Sequence, residues 1–62
     1  MCESSAYLLK DGEETLILES VDSLESTDGQ VYLLSMFGEK RRLKARVKTL
    51  SLIDHKIILE PL

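Results

Sequence analysis

At 62 residues, 44% of them hydrophobic and few of them Pro or Gly, the chain has room for one small globular core, residues 1–62 forming a single domain. No apolar run approaches the ~20 residues that a spanning helix needs, and no basic stretch leads into a signal-like apolar segment, so a cytoplasmic setting without membrane attachment is expected. A lone cysteine rules out an intramolecular disulfide, leaving self-association or a metal as added sources of stability, and the net charge of -3 argues against a phosphate backbone as the main partner.

Taken in chain order, the pattern is one of short strands and tight turns. Residues 4–10 alternate, with Ala6 and Leu8 on one face and Tyr7 and Leu9 on the other. Asp11-Gly12 is a strong hairpin signal, because a two-residue turn needs positive φ at both positions, and residues 15–18 form the return strand. From Glu19 to Thr27 only Val21 and Leu24 are apolar, which suggests a short irregular strand or loop over 21–26. Asp28-Gly29 repeats the turn signal before a strand over 31–36, and Phe37-Gly38-Glu39 makes the next corner.

Residues 40–48 have a period of two. Arg42, Lys44, Arg46 and Lys48 alternate with Leu43, Ala45 and Val47, which a strand converts into one solvent-facing row of cations and one core-facing row. Leu50 and Leu52 are expected to continue on the buried side, Asp54-His55 to turn the chain into a last strand over 56–59, and Pro61 to sit at an edge or chain end. Five to six short strands and no helix imply an all-β protein, a small SH3-like antiparallel β-barrel. Bulky residues on both parities of the last strands exceed what one small core can hide, so a two-fold homodimer is expected to cover the surplus.

The chemistry concentrates at the chain start. Cys2 offers a thiolate beside main-chain nitrogen, a donor set that suits Ni(II) or Cu(II) in square-planar geometry and is too small for a closed tetrahedral zinc site in one chain. The plainer reading of a single cysteine is a small buried hydrophobe, and position 2 argues against it. Glu3 can hold a donor in place without binding metal itself. His55, on a turn, reads as a solvated tip before it reads as a ligand, and Asp54 is an outer-shell candidate. With no carboxylate pair, Ser-His-Asp order, phosphate-cradling loop or CxxC, the sequence does not read as an enzyme.

The competing signal is the basic run, which holds six of the eight cations within residues 40–48. A small β-barrel presenting Arg42, Lys44, Arg46 and Lys48 could track RNA, but the aromatic platforms that usually accompany such a surface are few, namely Tyr7, Tyr32 and Phe37. A solvated strand face guarding an edge is the alternative.

Met1-Cys2-Glu3, the run Tyr7-Leu8-Leu9-Lys10-Asp11-Gly12, Leu18-Glu19-Ser20-Val21 and Leu52-Ile53-Asp54-His55-Lys56-Ile57 together resemble the CooT family of small nickel-binding proteins. The resemblance spans essentially the whole chain. It implies an SH3-like homodimer that binds Ni(II) through Cys2 and serves maturation of carbon monoxide dehydrogenase as a metallochaperone or store, with a nickel enzyme as client. Family members are also described as RNA-binding, in line with the alternative above. Nothing in the resemblance makes His55 a ligand.

Overall fold

The computed structural model describes residues 4–62. Its strands are β1 (Ser4–Lys10), β2 (Glu13–Thr27), β3 (Gln30–Ser35), β4 (Lys40–Leu43), β5 (Ala45–Ser51) and β6 (Lys56–Pro61). They form one sheet in the order β4-β3-β2-β1-β6-β5. The all-β, six-strand architecture is the one the sequence implies. Two features depart from the antiparallel barrel expected: β4 and β5 are the two edges of the sheet and do not pair with each other, so the sheet curls without closing, and β1 pairs with β6 in parallel.

The curl follows from where the apolar side chains converge. Ala6, Leu18, Val31, Leu33, Ala45, Ile57 and Leu59 come from five of the six strands and make one buried cluster, which a flat sheet could not bring together. Leu43 and Val47, half-buried, pack on its margin as the period-two pattern requires.

Both Asp-Gly pairs are hairpin turns. Asp11 and Gly12 have φ of 54° and 80°, Asp28 and Gly29 of 47° and 79°. At Gly29 a Cβ would lie 2.8 Å from Leu62 Cδ1, the end of an exposed side chain that can turn aside, so positive φ remains the governing constraint there.

Three expectations need correction. The weak segment after Glu19 is no loop: β2 runs unbroken for 15 residues, its first half paired with β1 and its second with β3. Ser20, at φ 56°, turns the strand between the two partners. The basic segment is not one strand either, because β4 ends on β3 at Leu43 and β5 begins on β6 at Ala45, with Lys44 between them. Finally, Leu50 and Leu52 are 58% and 77% exposed: counted in twos they fall in phase with Arg46 and Lys48, not with Leu43, Ala45 and Val47, and the register shift between Val47 and Thr49, which sets Leu50 opposite Ile57, does not bury Leu50. Ile58, on the opposite parity to Ile57 and Leu59, is nonetheless buried, beside Tyr7 in the parallel register.

Candidate functional site

The β3–β4 corner and the β5–β6 turn flank the start of the described chain. Ser4 pairs with Val21, which on its other side pairs with Ser35 at the end of β3. Ser5 faces Lys56, and its N–H donates to the carbonyl of His55 at 3.0 Å. Cys2 and Glu3, the expected ligand and its support, lie outside the described residues. His55 is half-buried at φ 53°, and what it supplies to β1 is its backbone oxygen. The Asp54 N–H donates to Ser51 Oγ at 3.2 Å, closing the same turn.

Among the described residues no three His, Cys, Asp or Glu side chains gather as a metal cluster. The same end carries apolar side chains in solvent: Phe37 is 76% exposed and Ile53 90%, with Met36 and Leu52 beside them in sequence. The corner that presents Phe37 is built on Ser35. Its buried hydroxyl accepts N–H groups from Phe37 at 3.1 Å and Glu39 at 3.0 Å, while the Met36 N–H donates to the Ser20 carbonyl at 2.9 Å.

On the outer face of β1, Lys56 Nζ lies 2.8 Å from Glu14 Oε1 and 5.0 Å from the centre of the Tyr7 ring. The hydrogen bond to Glu14 raises the Lys56 pKa above the usual lysine value, against a smaller opposing effect of desolvation.

The expected row of Arg42, Lys44, Arg46 and Lys48 is divided between the two edges of the sheet. Arg42 lies on β4, Lys44 in the break, and Arg46 and Lys48 on β5. Arg46 Nε is also engaged, 2.7 Å from Glu60 Oε1. A different arrangement replaces the row. Antiparallel pairing sets Glu25 opposite Tyr32 and Tyr32 opposite Arg42, and likewise Ser23 opposite Leu34 and Leu34 opposite Lys40. These six side chains line a groove of about 480 Å³ on the outer face of β2, β3 and β4. Among the described residues Lys40, Arg41, Arg42 and Glu25 make no ion pair. The sequence held a signal for this. In a hairpin centred on Phe37, residues 32 and 42 and residues 34 and 40 are equidistant from the corner and must meet.

Comparisons with known proteins point to one family. The sequence model of CooT, described as CO dehydrogenase accessory protein CooT, matches residues 1–60. A crystal structure of a CooT-designated protein from Carboxydothermus hydrogenoformans is 41% identical, covers 98% of this chain and 98% of its own, and superposes with a TM-score of 0.90. No curated protein sequence matches.

Proposed function

The chain belongs to the CooT family of CO dehydrogenase accessory proteins, and from that premise we propose that it carries Ni(II) as cargo for the maturation of carbon monoxide dehydrogenase, acting as a cytoplasmic homodimer and not as a catalyst. The observation that carries this reading is the family match over residues 1–60, which takes in Cys2. The Cys2 thiolate and neighbouring main-chain nitrogen are the donors, with Glu3 in support. A soft sulfur beside nitrogen favours a late divalent metal.

The geometry around the chain start supports the reading without supplying a ligand. Ser4 and Ser5, the residues next to Glu3 in sequence, are anchored inside the sheet between β2 and β6. Phe37 and Ile53 offer apolar surface at that end, and a two-fold contact made there would bring two Cys2 residues toward one axis. Such a site would belong to the pair of chains.

The test is a titration of untagged protein with Ni(II), followed by thiolate-to-nickel charge-transfer absorption. The expected result is a saturable band, weakening as pH falls because the thiolate must lose its proton to bind. Equal nickel binding by Cys2→Ser would overturn the assignment.

A further inference from the structure

The groove over β2, β3 and β4 lies on the outer face of the sheet, and the metal-carrying reading leaves it unused. Its three walls differ in kind. β2 contributes the Glu25 carboxylate, β3 the Tyr32 ring and the half-buried Leu34, and β4 the Lys40 and Arg42 cations. Acid, aromatic ring and cation stand on adjacent strands, so the row Glu25–Tyr32–Arg42 spans two strand spacings, about 10 Å. The Tyr32 hydroxyl donates to Gln30 Oε1 at 2.8 Å, which ties the tip of the ring toward the β2–β3 turn.

Cations on an edge strand often serve only to discourage edge-to-edge pairing. That role accounts for charge on β4. It does not account for an aromatic ring and a carboxylate in register with the cations across two further strands. Nor does the overall charge: in a chain of net charge -3, this groove gathers Lys40, Arg41 and Arg42 against the single carboxylate of Glu25.

We infer that the groove binds a guanine nucleotide, with the base stacked on Tyr32, its Watson–Crick edge on Glu25 and its phosphate on Lys40 and Arg42. The chemistry selects the base. An ionised carboxylate only accepts hydrogen bonds, and guanine presents two adjacent donors, the ring N1–H and the exocyclic amine, to its two oxygens. Adenine presents an acceptor where guanine has N1–H and meets Glu25 with repulsion. Tyr32 supplies the stacking platform, which any base can use, and the guanidinium and ammonium of β4 supply the anion site. The guanine nucleotide can be free or an unpaired position of an RNA strand. Neither the acidic wall nor the base selectivity follows from a plain phosphate-tracking surface.

The experiment is an amide chemical-shift titration of the untagged, nitrogen-15-labelled full chain at low salt, with GMP, AMP, ribose 5-phosphate, a uridine oligonucleotide and the same oligonucleotide with one central guanosine. GMP is expected to shift the amides of Glu25, Tyr32, Leu34 and Arg42 saturably, with AMP and ribose 5-phosphate about tenfold weaker or worse, the scale of losing charged hydrogen bonds. Glu25→Gln should abolish the preference for GMP over AMP while keeping phosphate binding, and Arg42→Ala should weaken both nucleotides. Unchanged β1 and β6 amides will show that the variants remain folded. Tighter binding of the guanosine oligonucleotide than of GMP identifies RNA as the source, and equal binding identifies the free nucleotide. The inference is overturned by equal affinity for GMP, AMP and ribose 5-phosphate, by shifts confined to other strands, by no shifts at all, or by an acidic peptide occupying the groove where GMP does not. Because Cys2→Ser leaves the groove intact, the nucleotide result stands or falls independently of nickel.

Discussion

The backbone N–H of Ser5 donates to the carbonyl oxygen of His55 at 3.0 Å, joining the first described strand to the turn before the last. His55 holds that carbonyl in place at φ 53°, a conformation that costs a side-chain-bearing residue roughly 1 kcal/mol and costs glycine almost nothing. His55→Gly therefore keeps the bond to Ser5, and thermal unfolding should show stability unchanged or slightly raised. Its nickel titration should match the parent, whereas Cys2→Ser loses binding; loss of nickel in His55→Gly would make the imidazole a ligand.

Ser35 is a second point where one small side chain organises a corner. Its buried hydroxyl accepts from both Phe37 and Glu39, and Ser35→Ala leaves those two N–H groups without it. A cost of about 1–3 kcal/mol is expected, seen as a lower denaturant midpoint with an unchanged slope. A midpoint equal to the parent's would mean that water replaces the hydroxyl without loss.

The Lys56–Glu14 pair sets a direction for alkaline stability. The folded-state Lys56 pKa is raised, chiefly by the hydrogen bond to Glu14, so the folded chain holds this proton more tightly than the unfolded one. Its contribution is fully present below the ordinary lysine range and is lost as pH rises through the raised folded value. Both partners are exposed to solvent and the effect is small. Melting curves across the alkaline range should fall less steeply for Glu14→Gln than for the parent; parallel curves would remove the linkage.

Phe37 and Ile53, exposed in the single chain, are free to change without touching its core. Phe37→Glu and Ile53→Glu should leave the fold and monomer packing intact and shift sedimentation from dimer toward monomer. A dimer that survives both substitutions would place the two-fold contact elsewhere.

How much of this was legible depended on whether the signal was local. Asp11-Gly12 and Asp28-Gly29 announced their hairpins because the turn geometry demands those residue types. The inward parity of Leu43, Ala45 and Val47 held even though Lys44 separates two strands on opposite edges. Ser20 gave no warning that it would take positive φ and carry β2 onward, whereas the exposure of Leu50 and Leu52 was there in the count, since both are in phase with Arg46 and Lys48. The parallel pairing of β1 with β6 joins segments some fifty positions apart, beyond the reach of periodicity. For the proposed metal site, the expectation rests on the position of Cys2 and on the family resemblance, and Cys2 lies outside the described residues. The nucleotide groove was hidden for another reason, that its members are ordinary surface residues until the hairpin register sets Arg42 against Tyr32.

That parallel pairing also fixes how far the last residue lies from the first described strand's start. Ser5 faces Lys56, and β6 then runs five residues onward to Pro61, which puts Leu62, one residue further, about 20 Å along the sheet from the anchored start of β1. In a two-fold pair meeting at the Ser4 end, the two Leu62 residues would sit at opposite poles of the assembly. Fluorophores coupled after Leu62 would then report pairing as energy transfer across two strand lengths, leaving the chain starts unlabelled.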